Sequence, residues 1–369
     1  MSSKLTDGSR LIVEGAAQAG IQAYSGYPIT PVNRIYSFAV ERIPQVLKAP
    51  DEISALQWAS GFAATGKTVM TGTSRPGFSL MTETVDMAFM MELPIMIALA
   101  QRLGPSTGSA TTGAQGDLGA LDQLISGGYS LPVLCPANLE DCFQMSAEAL
   151  RIAVELRTPV VLLTSKEMIE TERSMNTEKL PEVPTTKIHY YEGEDYLPYR
   201  PKENKVPSFL PVGNEKGQVR LTASTHDQSG ELKKTTPEAM NNTKRLSEKI
   251  RENLEDYLHY KLDHQEGARK LIISYGISSY AATEATESLR AQGHSASLLL
   301  IKTLLPVSQE ILDILDRYDQ LVFVEENLHG QYKKILFGAA EKQKIKSINS
   351  IGRMITPEEI IEEVAPNEL

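Results

Sequence analysis

Apolar residues recur along residues 8 to 170 at two alternating periods, one helical and one of strands. GSRLIVEGAAQAG (8–20) sets Leu11, Ile12, Ala16 and Ala17 at helical spacing, which predicts a helix. IQAYSGYP (21–28) predicts a short strand running into a turn at Gly26 and Pro28. PVNRIYSFAVERI (31–43) predicts a helix with Pro31 in its first turn, where a missing N–H costs nothing. Helices are also expected over ISALQWASGFAAT (53–65), FSLMTETVDMAFMME (78–92) and LEDCFQMSAEALRIAVELR (139–157). Strands are expected over TVMTGTS (68–74), LPIMIALAQ (93–101), LPVLCP (131–136) and PVVLLTS (159–165). This alternation implies a mostly parallel sheet covered on both faces.

From about 172 to 266 the texture changes: prolines crowd at 181, 184, 198, 201, 207 and 211, and apolar periodicity is poor. A polar helix is expected at 237–260. The segment reads as a linking arm plus helix, either a solvated connector or an arm lying against a partner, since long ordered loops are usually functional. From 268 the α/β pattern returns, with strands over 270–276, 295–306 and 320–327 and helices over 278–293, 309–318 and 329–342.

The length of 369 residues suits two or three domains, and 41% hydrophobic with 23% charged residues suits globular units with sizeable cores. The net charge of 37 − 47 = −10 argues against general binding to nucleic acid or an anionic membrane. Only Cys135 and Cys142 are present, which excludes a disulfide scaffold, a Cys-rich zinc site and an iron–sulfur cluster held by four cysteines of this chain. The most apolar stretch, 88–100, is broken by Glu92 and Pro94 and is too short to span a bilayer. MSSKLTDGSRL lacks a signal-peptide core, so a cytoplasmic protein is expected.

GFAATGKT (61–68) fits the nucleotide-binding P-loop letter for letter, but that fold needs a strand before the loop and a helix after it. Here the order is reversed, and Gly66 is expected as a helix stop. No G-x-G-x-x-G follows a strand at the N-terminus, no metal-ligand spacing contains a His, and G-x-S-x-G is absent. Three segments carry more. GYPITP (26–31) presents the Thr30 hydroxyl and backbone groups at a strand's carboxyl end, where ligands bind in open α/β sheets. PDEIS (50–54) opens a helix with two carboxylates, which suits chemistry or helix capping equally. QRLGPSTGSATTGAQGDL (101–118) is a Gly-, Ser- and Thr-rich run after the most apolar strand. It suits an anionic ligand held by Arg102 and backbone amides, or a plain flexible loop.

Taken together, GYPITP, PDEIS, TSRPGFSLM, QRLGPSTG and QGDL, with LVFVEENLHGQ (321–331), resemble the alpha subunit of the 2-oxoacid:ferredoxin oxidoreductases, of the 2-oxoglutarate synthase type. The resemblance implies an α/β fold: a thiamine-diphosphate-enzyme pyrimidine-binding domain (1–171), the arm and polar helix (172–266), and a transketolase-C-terminal-like domain (267–369). It implies oxidative decarboxylation of a 2-oxoacid, 2-oxoglutarate first, with coenzyme A, giving acyl-CoA, CO2 and reduced ferredoxin, or the reverse synthesis. A non-catalytic paralogue that kept the fold as an interaction or regulatory subunit is the alternative.

Thiamine diphosphate would be shared with a beta subunit that supplies the Mg and diphosphate site and a [4Fe-4S] cluster. A dimer of alpha–beta pairs follows, reducing ferredoxin through the beta subunit. Glu52 matches the cofactor-activating glutamate, which bonds the aminopyrimidine N1′ and so promotes loss of the thiazolium C2 proton. Adjacent Asp51 should point elsewhere. Thr30 matches a threonine that contacts substrate and cofactor, and Arg102 the arginine that holds the substrate carboxylate. Tyr27, Pro28 and Ile29, with Ser74, Pro76, Gly77 and Phe78, match the surroundings of the pyrimidine. The pattern departs at Arg75 and Leu103, where the family usually has Gly, and at Ala114, where it has an acid. Arg75 either adds a second anion contact or blocks the usual pocket. No metal ligand is expected in this chain.

Overall fold

The structure is a computed structural model and describes residues 3–338 and 343–365. Its strands are β1 (Lys4–Thr6), β2 (Ala23–Gly26), β3 (Gln45–Lys48), β4 (Val69–Ser74), β5 (Ile95–Gln101), β6 (Val133–Leu134), β7 (Pro159–Ser165), β8 (Arg173–Met175), β9 (Tyr260–Asp263), β10 (Lys270–Ser274), β11 (Ser297–Ile301), β12 (Thr303–Leu305), β13 (Gln320–Glu325) and β14 (Ile345–Asn349). The helices are α1 (Gly8–Gln18), α2 (Asn33–Arg42), α3 (Glu52–Ala64), α4 (Arg75–Met90), α5 (Leu139–Leu156), α6 (Lys166–Glu170), α7 (Pro237–Glu252), α8 (Ser279–Ala291), α9 (Gln309–Asp316), α10 (Gln331–Phe337) and α11 (Pro357–Val364).

Seven strands form the larger sheet in the order β12-β6-β7-β5-β4-β2-β3, parallel throughout except where β12 runs antiparallel to β6. β4, β5 and β7 are buried along their whole length, as strands covered on both faces must be. The helix pairs α1–α5 and α3–α4 supply that cover. A smaller sheet has the order β14-β13-β10-β11-β9, parallel but for the edge strand β9. Helices α8 and α11 pack together beside it. No helix among the described residues is long and apolar enough to cross a membrane.

Several elements depart from the sequence expectation. The apolar run 295–306 is not one strand: β11 joins the smaller sheet and β12 the larger. The break falls at Lys302, whose ammonium donates to Asp141 Oδ1 at 2.6 Å and whose carbonyl accepts from Cys135 N at 2.7 Å. The paired lysine marks the point where the chain leaves one sheet for the other. The polar helix ends at Glu252 rather than 260; Leu254–Tyr257 form a tighter turn, and β9 then pairs with β11. Strands β1 and β8 form a small antiparallel ribbon that the pattern did not announce. The helix expected over 329–342 spans Gln331–Phe337, and residues 339–342 of that expectation lie outside the described residues. Gly66 has φ +82° just after α3, with β4 following, so the P-loop-like letters form a helix stop.

Part of the arm is packed on its own chain. Tyr199 and His226 are fully buried. Arg157 donates to the carbonyls of Pro198 and Ser208 at 3.0 and 2.7 Å. Beneath the arm lies an ionic cluster: Glu92 is bonded by Lys249 Nζ at 2.7 Å and by both terminal nitrogens of Arg245. Asn242 accepts from Arg245 and donates toward His226. The arm is therefore neither wholly solvated nor free along 198–226; buried polar groups in it are satisfied by α7 and by Arg157 at the end of α5.

Candidate active site

Parallel strands bring their carboxyl ends to one edge of the larger sheet. Register sets the neighbours: Gly26 pairs with Lys48, and Ser74 with Ala100. Arg75 therefore leaves the sheet beside Arg102, and Glu52 follows four residues after the end of β3. The loop 27–32 caps the same edge and contains a cis Thr30–Pro31 peptide.

Glu52 opens α3. Asp51 is the N-cap and accepts from Ser54 N at 2.7 Å, so one carboxylate of the pair is occupied with capping. Glu52 is 7% exposed, and no hydrogen bond to its carboxyl occurs among the described residues. It lies against Gly77: a Cβ there would sit 2.6 Å from Glu52 Cγ and 2.4 Å from Thr73 Oγ1. Only glycine lets the first turn of α4 approach the carboxyl so closely. Ser74, the N-cap of α4, has a buried hydroxyl without a partner, and so has Ser25 on β2. A buried carboxyl at one helix start, and buried hydroxyls without partners at the start of another and near the end of β2, are what a bound polar heterocycle needs to complete. The residues present thus fit a pyrimidine.

Arg102 is 6% exposed and donates through Nη1 to the Thr30 carbonyl at 2.7 Å, while its Nε has no partner. One end of the guanidinium is thereby anchored and the other left with a donor to give. The Thr30 hydroxyl accepts from Asn33 Nδ2 at 3.2 Å. Arg75, Pro76 and Arg102 line a cleft of about 540 Å3 between this edge and residues 326–331 of the C-terminal unit. Leu103 and Ala114 line it too, so all three departing positions lie on one cavity. Glu52 and Thr30 do not line the cleft; Thr30 adjoins it through Arg102, and Glu52 lies against Gly77, next in the chain to the lining residue Pro76. Tyr27 is partly exposed, Pro28 and Ile29 half-buried, and Phe78 is fully buried in the core beneath α4.

Two acids in the cleft escaped sequence reasoning. Asp117 is buried, and its carboxyl is pushed up to about 7 by burial, against the pull of Arg75 and Arg102. Glu326 is likewise pushed up to about 7, by burial first and by Glu167 as well. Gln115 holds the junction: it donates to the Tyr275 carbonyl at 2.7 Å and accepts from Glu326 N at 2.8 Å. The QGDL and VEEN segments that carry these residues were visible, yet nothing local announces that they meet across more than 200 positions.

The larger sheet thus carries at its ligand edge a buried glutamate whose carboxyl has no hydrogen-bond partner among the described residues, and a second α/β unit is joined to it. Residues 14–251 match the family model described as pyruvate flavodoxin/ferredoxin oxidoreductase, thiamine diP-binding, and residues 259–335 match the transketolase C-terminal domain. The chain belongs to that oxidoreductase family, and its α/β units are those two domains.

Among relatives, the 2-oxoglutarate synthase subunit KorA of Methanothermobacter thermautotrophicus is 31% identical, with 96% of each chain covered. The ketoisovalerate oxidoreductase subunit VorB of the same organism is 29% identical over 99% of this chain and 97% of the relative. A 2-oxoglutarate:ferredoxin oxidoreductase from Magnetococcus marinus, solved with 2-oxoglutarate, coenzyme A and succinyl-CoA bound, superimposes with a TM-score of 0.92 at 25% identity. It covers 98% of this chain, which spans 64% of the length of that one.

Proposed function

We propose that this chain is the alpha subunit of a 2-oxoglutarate:ferredoxin oxidoreductase, converting 2-oxoglutarate and coenzyme A to succinyl-CoA and CO2 with reduction of ferredoxin, or running in reverse. The observation that carries the reading is Glu52, buried against Gly77 with no partner for its carboxyl among the described residues, with Arg102 at the same sheet edge. Thiamine diphosphate, when bound, supplies the carbon nucleophile that attacks the 2-oxo group. Glu52 would hold the proton at the pyrimidine N1′, aided by a dry setting. Arg102 would grip the C1 carboxylate, for which a planar fork is suited. Thr30, fixed at the mouth of the loop, would position substrate against cofactor. Relatives named for two different 2-oxoacids match this chain almost equally, so 2-oxoglutarate rests on the dicarboxylate that Arg75 and Arg102 together could receive.

The remaining half of the site belongs to a partner. Ile53 and Trp58 on α3, Leu80 on α4 and Tyr27 on the loop are between 36% and 53% exposed around the Glu52 edge, an apolar surface suited to burial. A beta subunit would cover it and bring Mg, the diphosphate site and the [4Fe-4S] cluster, in a dimer of alpha–beta pairs. Both cysteines of this chain are buried and unpaired, as structural thiols are. An idle paralogue has no observation in its favour, whereas Thr30, Glu52 and Arg102 are all present and Arg102 bonds the Thr30 carbonyl. The test is anaerobic co-expression with a candidate beta subunit and measurement of ferredoxin reduction. Reduction that requires both 2-oxoglutarate and coenzyme A supports the reading. Preference for 2-oxoisovalerate or pyruvate would move the acyl group, and a stable complex inactive with all three would reject the activity.

A further inference from the structure

The cleft beside Arg102 contains an acid to which the reaction outlined above gives no work. Asp117 is 7% exposed, and its Oδ2 is buried without a hydrogen-bond partner. Its backbone is held firmly: Asp117 N donates to Gln101 Oε1 at 3.1 Å, and the carbonyl of Gly116 accepts from Gln331 Nε2 at 2.7 Å. The carboxyl is thus presented to the cleft by a locked segment. Arg75 arrives from the start of α4 and Arg102 from the end of β5, and both line the same cavity. Neither forms an ion pair with Asp117 among the described residues, although both act on it electrostatically. From the C-terminal unit, Glu326 and His329 complete the charged and titratable lining.

We propose that Asp117 is a positioning residue that couples binding of the anionic 2-oxoacid to uptake of one proton. In the empty cleft its carboxylate offsets the two arginines. When a substrate carboxylate takes their charge, a low-dielectric site holds two negative groups near one another, and solvent supplies a proton to Asp117. The arginines are then free to face the substrate alone. An affinity near 7 for that proton, set by burial, puts the exchange in the working range of pH. The inference rests on the 2-oxoacid reading of this same cleft.

The sign follows from linkage. If binding takes up a proton, affinity falls as pH rises past the free group's titration, at most about tenfold per pH unit. The experiment uses the assembled alpha–beta complex and measures KM for 2-oxoglutarate and for coenzyme A from about pH 6 to about pH 8.5. Wild type should show KM for 2-oxoglutarate rising several-fold above neutrality, with KM for coenzyme A flat. Asp117→Asn, neutral and of the same shape, should flatten the 2-oxoglutarate profile. Arg75→Gln removes a charge that favours the carboxylate and should move the break to higher pH, which keeps the idea testable even if the Asn variant fails to assemble. Glu326→Gln should leave the break in place. A flat wild-type profile, an unchanged slope in Asp117→Asn, an unmoved break in Arg75→Gln, or a break that disappears with Glu326→Gln would each overturn the proposal. A complex that turns over no 2-oxoacid defeats the function reading itself, a result distinct from turnover with an unmoved profile.

Discussion

At the scale of single residues, two side chains would carry the proposed chemistry by virtue of what they lack. Among the described residues, the Glu52 carboxyl has no hydrogen-bond partner and Arg102 keeps a donor without one. Replacing Glu52 with Gln keeps the shape but gives N1′ a poor proton donor. In the assembled enzyme, cofactor should still bind while exchange of the C2 proton, followed by NMR, slows by about 10²–10⁴-fold. An unchanged exchange rate would remove Glu52 from its role. For Arg102→Ala, a bond between charged groups inside a site is worth roughly 1.5–3 kcal/mol, against about 0–1 kcal/mol for a surface pair. Its burial at 6% favours the larger figure. We expect kcat/KM for the 2-oxoacid to fall at least about tenfold, with KM for coenzyme A little changed and Arg102→Lys recovering only part. Loss confined to coenzyme A would reassign the arginine. Asp51 and Glu52 show how much was legible here: the sequence offered two adjacent carboxylates, and the cap bond to Ser54 decides which is free.

At the scale of elements, α7 is fastened by charge as well as by apolar contact. Lys249 and Arg245 reach from it to Glu92, which ends α4's descent into the core. Burial works to raise the Glu92 carboxyl, but Lys249, then Arg245, outweigh it and hold it down to about 2. Removing one member leaves buried charge without compensation. Glu92→Gln should therefore cost about 3–5 kcal/mol in denaturant unfolding at neutral pH. The sign in acid follows: a carboxyl lowered from its ordinary 4.5 contributes fully above that value and loses its contribution as pH falls toward about 2. The gap between wild type and Glu92→Gln should narrow across that window, and a gap independent of pH would show that packing alone is at stake. The sequence hinted at none of this. Glu92 looked like a flaw in an apolar stretch, and its partners lie more than 150 positions away in a helix that reads as solvated.

At the scale of the whole molecule, the proposed function makes the site a half. The chain carries a glutamate edge and a carboxylate cleft, with no G-D-G signature for Mg-bound diphosphate and too few cysteines for a cluster. The pure chain should bind thiamine diphosphate weakly and show no turnover. Calorimetry that finds tight, Mg-dependent binding by this chain alone would overturn the shared-site view.

The alternation of periods by itself determined the parallel α/β order, because strand and helix repeats are local properties of the chain. The motifs likewise placed Thr30 and Arg102 at strand ends and Glu52 at a helix start, since parallel strands share one carboxyl edge. Only tertiary structure decided how the run 295–306 divides between two sheets, why Gly77 must be glycine, and that Asp117 and Glu326 line one cleft. Those outcomes depend on contacts between distant segments, and on charges whose partners come from elsewhere in the chain. No local period records them.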